Sequence, residues 1–319
     1  LHLCDRRQRQ MCIRDRSYTT VTGKSGQISK FNLGRSGKYI IAIILIIITF
    51  FTSIFPIVSF AFETFLPNPG DYSFLYTGDP DNLTTKWWVT NENITENGMY
   101  GQQGILYNDM IWHAYKGTIM VSVCCALTAG TIGTLIGYAV SKNRRSRWAN
   151  YVNSMAFLPY LMPSIAVGVA FFILFSNKYV NLFNTYALLI IVGTVKYIPF
   201  ASRSSLNSML QLSGEIEEAA IIQDIPWTKR MTRIIIPIQK TSIISGYLLP
   251  FMTCLRELSL FILLCVQGFI LSTTLDYFDE MGLYAFSSGI NLILIVTILI
   301  CNALVNKATG ASLDKGIGG

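Results

Sequence analysis

The sequence predicts an all-α membrane protein. It has six transmembrane helices, both termini on the cytoplasmic side, and a cytoplasmic helix-turn-helix loop between the fourth and fifth helices. Three observations carry this expectation. Of 319 residues, 51% are hydrophobic and only 13% charged, whereas a soluble domain carries about 25% charged residues. The apolar residues gather into six runs near the length of about 20 residues that a spanning helix needs. Lysine and arginine fall on alternate sides of those runs. Mean hydropathy is +0.44. The net charge of +7 is not collected on one basic domain, so it fits membrane orientation and gives no footprint for nucleic acid.

In chain order, residues 1–17 read "LHLCDRRQRQMCIRDRS", with neither an initiating methionine nor the apolar core of a signal peptide. The "MCIRDR" string resembles translated sequencing-adapter read-through. These residues are set outside the fold, and the true N-terminus is expected to be missing. Residues 18–38 form a cytoplasmic segment with Lys24, Lys30, Arg35 and Lys38 and no acid. Tyr39–Phe60 is the first span and contains no charge. An external segment, 61–117, follows with turn signals at "PNPGDYSF" and "GDPDN". Trp112 is placed to anchor a helix end at the interface. The membrane core, 118–306, then opens with the spans Thr118–Ser141 and Tyr151–Phe175, joined by the basic loop "KNRRSRWAN". The fourth span, Thr185–Ser205, carries Lys196. The loop 206–240 precedes a fifth span, Thr241–Val266, with Arg256 and Glu257, and the sixth is Phe286–Val305. Residues 307–319 are a cytoplasmic tail. The external side holds only Lys86, Lys116 and Lys178 against ten acidic residues, an asymmetry that places both termini and the 206–240 loop inside.

That loop is ordered by its own local chemistry. "GEIEEAAIIQ" is rich in helix formers, and its acids crowd the start, where the helix dipole favours them. Asp224 sits at a break, and Pro226 suits the first turn of a second helix, roughly Trp227–Ile236. Its basic residues come late, and Pro237 is expected to end it. A short helix, a tight turn and a second short helix present a compact surface to a partner.

The spacing Glu218-Ala219-Ala220, three residues, Asp224, nine residues, Ile234, one residue, Ile236-Pro237 resembles the EAA loop of ABC importer permeases, E-A-A-x3-G-x9-I-x-L-P. Asp224 stands where glycine is usual and Ile236 where leucine is usual. Glycine there allows a left-handed backbone, which Asp is among the few other residues to tolerate. The resemblance implies that Glu217, Glu218, Ala219, Ala220, Asp224, Ile234 and Pro237 form the coupling region that docks on a cytoplasmic ABC ATPase dimer. It extends to "FLPYLMPSIAVGVAF" (157–171), "KYIPFASRSSL" (196–206) and "LRELS" (255–259), which look like spans of the iron(III)-type permeases. It therefore implies a bacterial plasma (inner) membrane protein served by an external substrate-binding protein, with ferric iron as cargo. Polyamine, thiamine, phosphonate or sugar are the alternatives. In that branch two six-helix units are commonly fused, each with its own loop. With one loop present, the chain is expected to be the C-terminal half of a twelve-span permease, or else a six-span subunit that pairs with a second permease half.

Charged residues at bilayer depth face the protein interior or a wet path. Arg256 and Glu257, with Ser259 beside them and Lys196 on the fourth span, are the candidates for the translocation path or its gate. The competing reading gives each a polar partner on a neighbouring helix; Lys196 would snorkel or pair with Glu257. Pro159 and Pro163 are expected to bend the third span and free backbone carbonyls, and Gly133 and Gly137 to permit close helix approach. His113 lacks clustered ligands, and none of the seven cysteines forms a Cys-x-x-Cys pair, so no metal site is expected. The phosphate-cradling G-x4-G-K pattern does not occur, and no nucleophile–base constellation stands out. ATP and Mg are accordingly expected on the partner ATPase, with no cofactor in this chain and no enzyme activity of its own. A channel or a membrane enzyme that uses no ATPase is the remote alternative.

Overall fold

A computed structural model describes residues 34–73, 76, 83–94 and 101–309. The adapter-like run, Lys24, Lys30 and the tail from residue 310 lie outside the described residues. Among the described residues the regular secondary structure is all helical, apart from two isolated β-bridges.

Helix α1, Ser36–Glu63, is apolar on every side, and its most hydrophobic window is unburied within the chain. A π-helical turn at Phe50–Ile54 precedes Pro56. The Phe55 N–H reaches the Phe50 carbonyl five residues back, a register shift of the kind that accommodates a proline without a donor. The C-terminal end of α1 packs on the last helix. A short helix, α2 (Lys86–Val89), buries Trp87, whose indole N–H donates to the Leu66 carbonyl at 2.7 Å. Trp87, Ile105, Phe278 and Phe286 share one core.

Helix α3, Asp109–Lys142, runs 34 residues without a break, about 50 Å at 1.5 Å per residue. The Asn108 side chain caps its start by accepting from the Ile111 N–H. Helices α4 (Arg147–Leu161) and α5 (Ser164–Phe175) follow, then α6 (Tyr186–Gln211), which packs along α3 more extensively than any other pair. A Cβ on Gly133 would lie 2.5 Å from Ala201 Cβ, and one on Gly137 2.7 Å from the Leu206 nitrogen. These two glycines set how closely α3 and α6 approach. Helices α7 (Gly214–Ile222) and α8 (Trp227–Ile238) form the polar loop, α9 (Lys240–Leu255) packs on both α3 and α6, and α10 (Leu271–Glu280) leads to α11 (Tyr284–Thr309). Cys125, Cys254 and Cys265 are free and buried, as small apolar groups are.

Four of these helices, α1, α3, α6 and α11, are long and apolar enough to cross a membrane, and six spans result if each of two bent pairs counts as one. Two of the six expected spans are therefore not continuous helices. The run 151–175 is broken by 102° between α4 and α5. The cause is Pro163, which lacks the N–H that would continue α4 and pushes Met162 into extended backbone, ψ 137°. The run 241–266 is a helix only to Leu255, after 16 residues. From Arg256 to Ile270 the chain is an irregular hairpin of turns, so Arg256 and Glu257 are not side chains of one helix. Pro237 does not end the second loop helix either. It sits in the first turn of a helical segment that continues to Ile238, and the 85° change of direction comes at Gln239.

A candidate coupling element and membrane-depth site

The α7–α8 turn follows from one backbone requirement. Asp224 is left-handed, φ 53°. Its N–H donates to the Ile221 carbonyl at 2.9 Å, and the Ile225 N–H reaches back to the Ala220 carbonyl at 3.1 Å. This pair of bonds closes α7 in a Schellman motif whose left-handed position most often holds glycine. Asp224 therefore occupies the one place in the loop where a glycine-like conformation is needed.

The turn also sorts the loop residues into two faces. Glu217 and Ala220 are buried on the inner side of α7, as are Met231 and Ile235 on α8. These α8 side chains pack on Met209 of α6, Ile243 of α9 and Tyr138 of α3. Glu218, Ala219, Ile222, Asp224, Trp227 and Pro237 are exposed, Ile222 at 83%, while Ile234 is half-buried.

Glu217 therefore faces inward. Its carboxylate forms an ion pair with Lys142 and accepts from the Tyr138 hydroxyl, both at the C-terminal end of α3. Burial alone would raise the Glu217 carboxyl, but the Lys142 and Tyr138 hydrogen bonds, with the nearby Arg230 charge, hold it below the usual carboxylate range. Trp227 packs on the Tyr138 ring at 6.2 Å, and Lys142 lies 5.9 Å over it. Neither Tyr138 nor the pairing role of Lys142 stands out in the sequence. The available signal is their i, i+4 spacing at the end of a span facing an acid-rich loop.

At membrane depth the four candidates do not form one cluster. Lys196 is buried and donates to the Pro159 carbonyl at 3.1 Å and the Met162 carbonyl at 2.6 Å. It satisfies the backbone acceptors left open where Pro163 breaks the α4–α5 pair, and it hydrogen-bonds those carbonyls instead of Glu257. Glu257 is half-buried: one carboxylate oxygen accepts from the Tyr197 hydroxyl at 2.8 Å, the other from the Leu260 N–H at 3.1 Å. The Ser272 hydroxyl donates to the Glu257 carbonyl at 2.8 Å. Glu257 thus ties the hairpin to α6 and α10. Arg256 and Ser259, its near neighbours, are exposed. Irregular backbone at bilayer depth is tolerated where it is buried in protein or lines a wet cavity, and the hairpin is buried at Leu260, Phe261 and Leu264 while Arg256 and Ser259 project outward. A cleft of about 340 Å³ lies between α4, α6 and α9, lined by Phe157, Tyr160, Phe200, Arg203 and Leu249 among others. The Arg203 guanidinium sits 4.5 Å over the Phe157 ring. Among the described residues no group of three or more metal-ligating side chains occurs.

A bundle of long apolar helices with two bent pairs and a two-faced polar loop has the build of a multi-span membrane protein, and comparison with known proteins places it more closely. The chain belongs to the family of binding-protein-dependent transport system inner membrane components, which matches residues 129–311, more than half of its length. It is 24% identical over 254 residues to the putative ferric transport system permease protein FbpB 1 of Haemophilus influenzae, covering 79% of this chain and 37% of that protein. It is 26% identical over 204 residues to the putrescine transport system permease protein PotI of Escherichia coli K12, covering 61% and 68%. The chain spans only about a third of the ferric permeases it matches, 37% and 34% of their lengths. Among solved structures, a bacterial ABC transporter involved in alginate import aligns over 89% of this chain and 99% of that one, with TM-score 0.61 and 17% identity. The MetNI methionine ABC transporter aligns over 63% and 95%, with TM-score 0.55 and 11% identity. At these identities the structural likeness is one of fold.

Proposed function

We propose that this chain is a membrane-spanning permease subunit of an ATP-driven importer in the bacterial plasma membrane. It forms half of a translocation path and couples to a cytoplasmic ABC ATPase dimer through the α7–α8 element. The observation that carries the proposal is the sorting of the loop into two faces. The inner face is fixed to α3, α6 and α9, and the outer face, with Glu218, Ala219, Ile222 and Asp224, is left open for a partner. Both termini and the loop lie in the cytoplasm, in accord with the basic residues at 142–147 and 229–240. ATP and Mg bind to the partner, and this chain contributes no catalytic residue and no cofactor. A second permease half, fused or separate, completes the path, and an external binding protein delivers cargo.

Ferric iron is the substrate favoured by the ferric relatives and by the "LRELS" stretch. The polyamine alternative draws on the putrescine relative. Arg256, Glu257 and Ser259 line or gate the path, whereas the geometry of Lys196 favours a structural part. The test is uptake by proteoliposomes containing the complete transporter, supplied in parallel with ferric citrate and putrescine. ATP-dependent uptake of ferric iron is expected. Putrescine uptake without iron uptake would replace the substrate, and the absence of ATP-dependent uptake of either would contradict the assignment.

A further inference from the structure

We infer that α3 is the lever of this transporter, and that the Glu217–Lys142–Tyr138 joint is what fastens the coupling element to it. The inference rests on the proposed coupling role of the α7–α8 element and assigns Glu217, Lys142 and Tyr138 as positioning residues for it.

The argument begins with how little else holds α7. Of its nine residues only Glu217 and Ala220 are buried, and Ala220 has no side chain beyond Cβ with which to grip. The carboxylate of Glu217, 5% exposed, is therefore the principal side-chain attachment of the helix that carries the outward-facing docking residues. Both of its side-chain partners, Tyr138 and Lys142, lie in the last turns of α3.

The same helix is fastened at its opposite end to the irregular hairpin. The Leu271 N–H donates to the Thr118 hydroxyl at 2.7 Å, and the His113 ring bonds the Gly268 carbonyl at 3.0 Å. Gly117 lies so close to the Phe269 carbonyl and the Tyr186 ring that a Cβ would collide with both. One residue beyond Leu271, Ser272 holds the Glu257 carbonyl. A helix of 34 residues with no proline and no break thus links the coupling element to the hairpin that presents Arg256 and Ser259. Packed interfaces of this kind pass on a displacement instead of absorbing it. Motion of α7 imposed by an ATPase reaches the hairpin through α3, and the joint carries it across the α7–α3 boundary.

The test compares the assembled transporter carrying Lys142→Met, Lys142→Arg or no change, reading substrate (ferric iron supplied as ferric citrate, or putrescine if the unmodified transporter imports that instead) imported per ATP hydrolysed. Lys142→Met should leave the ATPase bound and hydrolysing while imported substrate per ATP falls at least tenfold. Lys142→Arg, which keeps the charge, should restore most of it. A second variant guards against simple misfolding: Lys142→Cys with Glu217→Cys, joined by a reversible bis-thiol cross-linker. Cross-linking should raise substrate per ATP, and reductant should lower it again. Unchanged coupling in Lys142→Met, or a cross-linked form less coupled than the reduced one, would overturn the lever while leaving the importer assignment intact. If no ATPase accompanies the unmodified chain, the importer assignment fails, and the lever fails with it.

Discussion

Replacing Lys196 with methionine tests the reading of the α4–α5 break most sharply. Methionine preserves length and apolar bulk but removes the ammonium that caps Pro159 and Met162. Lys196 is 8% exposed, so water does not readily take over those acceptors. Hydrogen bonds to charged groups contribute about 1.5–3 kcal/mol each, and an orphaned buried acceptor costs about 1–3 kcal/mol. Against the loss stands the removal of a buried ammonium, which is itself unfavourable. A net destabilisation of about 2–4 kcal/mol is expected, read as the shift of the SDS-unfolding midpoint of the purified chain. A thiol introduced by Met162→Cys in the same background should label faster, because the break loosens first. Uptake normalised to assembled protein should be little changed, since the ammonium points at backbone. Stability within about 0.5 kcal/mol of the parent, or a selective loss of uptake in fully assembled protein, would refute the structural role.

Other positions give equally definite outcomes. Asp224→Gly should be neutral or stabilising by up to about 1 kcal/mol, and Asp224→Val destabilising by more than that, because only the left-handed backbone is at issue; thermal melts in detergent decide. Gly133→Leu forces side-chain atoms against Ala201 and the Ser202 backbone, so α3 and α6 must part at a cost of about 1–3 kcal/mol or more, with loss of folded protein as the readout. Glu217, whose folded carboxyl lies below its ordinary value of 4.5, contributes stability that is fully present above that value and is lost as pH falls through the lower folded one. Glu217→Gln should therefore be less stable at neutral pH and should flatten the acid limb of the stability profile below about pH 4.5. A variant with an unchanged acid limb would contradict the joint.

Much of this architecture is legible in the sequence because its causes are local. Charge-free runs such as 39–60 are read by length, and the turn at Asp224 by the conformation that its position in the loop requires. Pro163 announces a disturbance, but only the structure shows that it redirects the chain by 102° and that Lys196, 33 residues later in the chain, satisfies the carbonyls it frees. Apolar content misleads in 241–266, where "LRELSLFILLCV" (255–266) extends the apolar run to the length of a span. Only part of the stretch is packed inside protein: Leu260, Phe261 and Leu264 are buried while Ile262, Leu263 and Val266 are exposed, and burial in protein and contact with lipid demand the same composition. The inward turn of Glu217 is equally hidden. Adjacent glutamates on a helix point about 100° apart, and which of the two meets α3 is decided by packing, not by the motif.

The central claim is tested most directly by cysteine cross-linking on the α7–α8 element in native membranes. The account predicts that Glu218→Cys and Ile222→Cys, on the outer face, cross-link to a nucleotide-binding chain, while Ala220→Cys on the inner face does not. Cross-links from Ala220→Cys alone, or no nucleotide-binding chain at either outer position, would contradict it.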